Sequence, residues 1–111
     1  VPVADKYQPE WVLISAGFDP HDRDPLAGMA VTENGFGAMA SMLLDVAERH
    51  AGGKIAFLLE GGYDLKALKN SVACVFQEMK KVGERPMPVN AGGETIQPLI
   101  RTVLQVQERY W

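Results

Sequence analysis

Two short runs with almost no polar side chains constrain the fold most: Trp11-Val12-Leu13-Ile14-Ser15-Ala16 and Lys54-Ile55-Ala56-Phe57-Leu58-Leu59. Neither alternates apolar with polar residues, which predicts strands at about 11–16 and 54–59 that are covered on both faces. Between them Phe36, Met39, Ala40, Leu43, Val46 and Ala47 recur at helical spacing, with Asn34, Ser41, Asp45 and Glu48 on the other side. A strand–helix–strand unit of this length joins parallel strands by a right-handed crossover. The expected class is α/β.

Local signals punctuate these elements. Pro9, in Tyr7-Gln8-Pro9-Glu10, closes whatever precedes the first strand. Thr32 is placed to cap the central helix, and Gly52-Gly53 to end it. Asp64 caps a further helix whose apolar positions are Leu65, Leu68, Val72, Val75 and Met79. Arg85 to Gly93 reads as a surface connection. A last helix follows from about Thr95, with Pro98 tolerated in its first turn. Ile96, Leu99, Ile100, Val103 and Tyr110 give its packing face. Residues 1–111 hold no repeat and no second domain. Two parallel strands need further partners on their edges, so the chain is expected to be the terminal part of a larger sheet. Its start at Val1, without Met, is a hint in the same direction.

Composition removes several function classes. Net charge is −3 and the basic residues are scattered apart from Lys80-Lys81, so direct nucleic-acid binding is not expected. No apolar run reaches the about 18 residues that cross a bilayer. Cys74 is the only cysteine and reads as a small buried helix residue, which excludes an intrachain disulfide and suits a reducing, cytoplasmic setting.

Chemistry concentrates where the two strands end. The first gives way to Ala16-Gly17-Phe18-Asp19 and the second to Glu60-Gly61-Gly62-Tyr63-Asp64. In open α/β sheets ligands bind beyond the carboxyl ends of parallel strands, so the two loops should meet, with Asp19 and Tyr63 facing a common cavity. Asp19 offers a hard oxygen ligand for a divalent metal, or simply forms the turn with Pro20. Gly61-Gly62 lets a ligand approach the backbone, and Tyr63 can donate a proton to a developing oxyanion. The plain alternative is a tight strand-to-helix turn with a packed tyrosine. The segment Gly17 to Val31 reads as a loop of about 15 residues, a length that is usually functional or disordered. Within it His21, Asp22 and Arg23 read as loop polarity and salt bridging. Asp24-Pro25-Leu26 reads as a shaped turn presenting Leu26 to a pocket or to the core.

These motifs match a family. Leu13-Ile14-Ser15-Ala16-Gly17-Phe18-Asp19, Asp24-Pro25-Leu26-Ala27-Gly28, Thr32-Glu33-Asn34-Gly35-Phe36 and Leu59-Glu60-Gly61-Gly62-Tyr63-Asp64 occur in this order. Together they resemble the C-terminal part of the zinc-dependent histone deacetylase superfamily, which includes acetylpolyamine amidohydrolases and acetoin-utilisation proteins. The Gly-Phe-Asp form and the Asp-Pro-Leu turn look more like its class II and bacterial members. The resemblance implies an arginase-like three-layer α/β fold and hydrolysis of acetyl-lysine or an acetylated polyamine-type amine. It implies Asp19 as one of three protein ligands of zinc and Tyr63 as the donor to the substrate carbonyl. It also implies that Leu26, Gly61 and Gly62 line the acyl tunnel.

The departures matter as much. The family's other two zinc ligands, an Asp-x-His pair on an earlier strand, have no counterpart here, nor does its tandem histidine general base. His21 and His50 do not stand at those positions. The chain alone is therefore expected to be inert and to bind zinc weakly or not at all. Its uncovered strand edges predict self-association. From other classes, the rivals are a non-catalytic α/β module for docking or self-association, and a nucleotide-binding half-domain supported only by the Gly61-Gly62 turn.

Overall fold

The computed structural model describes residues 2–81, 83 and 96–110. Its elements run α1 (Pro2–Tyr7), β1 (Val12–Ala16), α2 (Glu33–His50), β2 (Ile55–Leu59), α3 (Leu65–Met79) and α4 (Gln97–Gln107). β1 and β2 pair in parallel, from Val12 opposite Ile55 to Ala16 opposite Leu59. The connection between them is the expected helical crossover, α2.

The helix boundaries follow from side-chain chemistry. Thr32 is extended (φ −97°, ψ 168°) and its hydroxyl accepts the Gly35 amide at 3.2 Å. This satisfies one of the donors that the first turn of α2 leaves without a partner. Asp64 does the same for α3, its carboxylate accepting the Ala67 amide at 2.7 Å. Gly52-Gly53 follows α2 as expected, both with positive φ.

Phe18, Phe36, Ala40, Leu44 and Val75 form the buried centre, with Ala16, Ile55 and Phe57 of the sheet packed against it. The Phe18 and Phe36 rings meet at 5.0 Å, tilted by 53°. Leu44 belongs to the buried stripe because it continues Phe36 and Ala40 at four-residue spacing, whereas Met39 is exposed. On α3 the corresponding stripe is Ala67, Ser71 and Val75. Leu65, assigned to that packing face from the sequence, lies outside it and is exposed.

Three further expectations differ from the described structure. Among the described residues α2 and α3 lie against the same face of the strands, while Leu13 on the other is 69% exposed. The reason is that the helices pack on each other, with Gly37 of α2 so near α3 that an added Cβ would stand 3.5 Å from that of Cys74. The apolar stripe of α4 is mostly uncovered, since no residue of that helix is buried among the described residues. Before Pro9 the chain forms α1, which leaves its helical path at Gln8 (φ 54°). Asp5 ties α1 to α2 through Arg49 and through His50 Nε2 at 2.9 Å. Cys74 is half-buried rather than buried. The connection expected over Arg85 to Gly93, the start of the last helix at Thr95, and Trp111 lie outside the described residues.

Phe36 holds the sheet, the long loop and α3 to one another. Phe36→Ala is expected to destabilise the protein by about 3–5 kcal/mol, the usual cost of emptying a packed aromatic site. Denaturant unfolding measures this; a loss below about 1 kcal/mol would mean that the core is organised elsewhere.

Candidate functional site at the strand ends

The parallel pairing does not stop with the strands. The Glu60 amide donates to the Ala16 carbonyl at 3.1 Å, and the Phe18 amide donates to the Gly61 carbonyl at 2.9 Å. Both loops therefore leave the sheet at the same end and side by side.

The first loop is more ordered than its composition suggests. The amide of His21 donates to the Phe18 carbonyl at 3.2 Å, and that of Asp24 to the His21 carbonyl at 3.0 Å. These consecutive turns bury Phe18, His21 and Asp24, every third residue. The loop is closed at its far end by Asp22 donating to Val31 and Val31 donating to Pro20, each at 3.0 Å.

The salt bridging expected of these residues is present, with His21 Nδ1 2.8 Å from Asp22 Oδ1 and Arg23 near Asp64, but His21 is interior rather than loop surface. It is 1% exposed and its ring lies nearly parallel to Phe36, 8° between planes. Its Nδ1 accepts the Arg23 amide at 3.1 Å. The remaining ring nitrogen, Nε2, makes no hydrogen bond and faces Glu33 at 3.6 Å. Although Asp19-Pro20-His21 has Asp-x-His spacing, the imidazole is consumed by the core.

Asp19 stays at the strand end. A Cβ built on Gly61 would overlap its Oδ1, so the carboxylate lies directly against the second loop. Among the described residues no hydrogen bond or ion pair occupies that carboxylate. Gly62 has φ 130°, and a side chain there would press on Phe18 and Leu68 at 3.0 and 3.1 Å. Glycine is required on both counts. Tyr63 follows with its side chain 59% exposed, and Leu26 is 68% exposed on the neighbouring turn rather than in the core.

The two loops meet at the strand ends. Apolar hollows of about 300 and 500 Å³ open beside the sheet, around Phe18, Phe57 and Val75, and neither of these two is lined by Asp19 or Tyr63. The loops supply one wall. Among the described residues no three His, Cys, Asp or Glu side chains are grouped to hold a metal.

Asp24 links the two loops. Its Oδ1 accepts the Leu26 amide at 3.0 Å and its Oδ2 accepts the Tyr63 amide at 2.7 Å. Beside it Arg23 approaches the Asp64 carboxylate at 3.5 Å. The turn at Asp24-Pro25-Leu26 was legible, but its bond to a residue 39 positions away was not.

Residues 1–79 match the model of the histone deacetylase domain. The chain belongs to the histone deacetylase family. It is 43% identical over 76 residues to "Histone deacetylase 10, chloroplastic" of Oryza sativa subsp. japonica, covering 68% of this chain and 17% of that protein. It is 35% identical over 82 residues to a "Histone deacetylase-like amidohydrolase" of Pseudomonas aeruginosa, covering 74% of this chain and 22% of that protein. The crystal structure of the HDA15 HD domain superposes on all of it with a TM-score of 0.74 and 32% identity, over 28% of that domain chain. The fold is therefore an α/β portion of the arginase-like deacetylase architecture. The chain spans about a fifth of the length of these curated relatives.

In this segment of the histone deacetylase family Asp24 and Asp64 are both held below the usual carboxylate range. For Asp24, burial pushes upward but the amides of Tyr63, Leu26 and Asp64 outweigh it. For Asp64 the Ala67 amide dominates, opposed by burial and assisted by Arg23. Depressed folded values mean that the unfolded chain binds more protons in acid, so this stabilisation is present above about pH 4 and is lost as pH falls through the lowered values. Melting temperature should hold nearly level from pH 7 to about 5 and fall below about 4. A variant carrying Asp24→Asn and Asp64→Asn should decline less steeply in acid; an identical decline would contradict the assignment.

Proposed function

We propose that the chain is the C-terminal part, residues 1–111, of a zinc-dependent deacetylase domain acting on acetylated lysine or an acetylated small amine. The observation that carries this reading is the Asp19 carboxylate lying against Gly61, with Tyr63 two residues further along the same turn. The names of the relatives support the same chemistry, since they are deacetylases and an amidohydrolase.

A carboxylate at a strand end with no hydrogen bond or ion pair among the described residues fits one ligand position of a catalytic zinc, which takes three protein ligands and an open site. Asp19 would hold it together with ligands from outside these residues. When bound, the zinc polarises the amide carbonyl and activates water. Tyr63 donates its phenolic proton as a hydrogen bond to the amide oxygen and stabilises it as negative charge develops. Gly61 and Gly62, lacking side chains, let the acyl group pass close to the backbone, and Leu26 shields the acyl chain from water. A histidine outside this chain accepts the proton of the attacking water.

One ligand does not make a site, so the chain alone binds zinc weakly and turns nothing over. The exposed sheet face and strand edges among the described residues favour self-association.

The test compares the full-length protein, two variants of it, and this chain alone, in zinc content and in hydrolysis of an acetyl-lysine peptide and an acetylpolyamine. Tyr63→Phe should keep zinc and lower turnover about 10²–10³-fold, the usual loss for one oxyanion donor. Asp19→Ala should lose zinc and activity together. The chain alone should be inactive and polydisperse by light scattering. Full activity in either variant, or turnover by the isolated chain, would defeat the reading.

A further inference from the structure

The Tyr63 phenol stands between a glycine pair and the first turn of α3, which Asp64 caps. Gly61 and Gly62 precede it, and glycine leaves the backbone free to rotate. Tyr63 is more than half exposed, so packing holds it only in part. Among the described residues the other loop reaches it through one hydrogen bond: the buried Asp24 carboxylate, through Oδ2, accepts the Tyr63 amide at 2.7 Å. The same carboxylate, through Oδ1, accepts the Leu26 amide at 3.0 Å. A carboxylate accepting amides on both oxygens forms short, charge-assisted bonds, roughly twice as strong as neutral ones. Asp24 is itself held by its amide bond to the His21 carbonyl, within the turns anchored on Phe18.

We infer that Asp24 is a positioning residue for catalysis, a two-sided clamp that sets the phenol of Tyr63 and the side chain of Leu26 at a fixed separation. The inference rests on the deacetylase reading above. Releasing the Tyr63 amide lets the Gly61-Gly62 pivot turn and carries the phenol off the line to the substrate oxygen. A misplacement of about 1 Å can cost about 10²-fold in rate. The low proton affinity of the Asp24 carboxyl keeps both oxygens available as acceptors through the neutral range.

A double-mutant cycle in the full-length protein separates positioning from mere structure. Asp24→Ala should lower kcat about 10²-fold with zinc content unchanged. Asp24→Asn keeps the size and one acceptor oxygen, so it should fold like the parent and show a smaller loss. Combined with Tyr63→Phe, either Asp24 change should add little, because the bond it positions is already gone. Losses that multiply in the double variants, or that follow zinc content, would overturn the inference and make Asp24 a structural residue only. Normal kcat in both Asp24 variants beside a slow Tyr63→Phe would overturn it alone. Normal kcat in Tyr63→Phe would remove the deacetylase reading and the inference with it. If Asp24→Ala does not fold, the Asp24→Asn cycle decides by the same criteria.

Discussion

The parallel pairing of β1 and β2, carried two bonds past the last strand residues, is what the rest of the structure depends on. The Glu60–Ala16 and Phe18–Gly61 hydrogen bonds keep the two chains in register into their loops. A parallel pair with a helical crossover puts both loops at one end by topology. The extra bonds then fix how near they come. They bring the Asp19 carboxylate onto a residue that must be glycine, and they leave Tyr63 on the turn that follows. The core serves this arrangement, since Phe18 is both a ladder residue and a core side chain tilted against Phe36.

Much of this was legible in the residues. The apolar runs marked the strands to within one residue, and Thr32 and Asp64 marked the helix starts because a side-chain acceptor before an apolar stripe has one common use. The family motifs, four in order, gave the architecture that the comparisons support. Other features were not legible because they depend on contacts distant in sequence. His21 stands among Pro20, Asp22 and Arg23, which reads as polar surface, yet the three-residue turn spacing from Phe18 carries it inside. Its burial under Phe36 is a packing decision that composition does not encode. Likewise the strands look covered on both faces, because their sequence lacks alternation, although α2 and α3 share one face of the described structure. The α4 stripe has helical periodicity and little to pack on.

The candidate site divides in the same way. Asp19, Gly61, Gly62 and Tyr63 were found by their place after strands, whereas Asp24 was read only as a turn former. Its second oxygen bonds the other loop, and no spacing rule predicts a partner across a crossover. The consequence is physical: in this family segment the glycine turn gives access, and a buried carboxylate from a neighbouring loop restores the rigidity that the glycines remove.

The most direct measurement is a crystal structure of the full-length protein with zinc and an acetyl-lysine peptide bound. The account predicts an Asp19 carboxylate oxygen about 2.0–2.2 Å from the metal. It also predicts the Tyr63 hydroxyl about 2.7–3.1 Å from the position the amide oxygen takes as an oxyanion. A metal held without Asp19, or a substrate carbonyl that Tyr63 does not reach, would contradict the claim that these two loops form one wall of the active site.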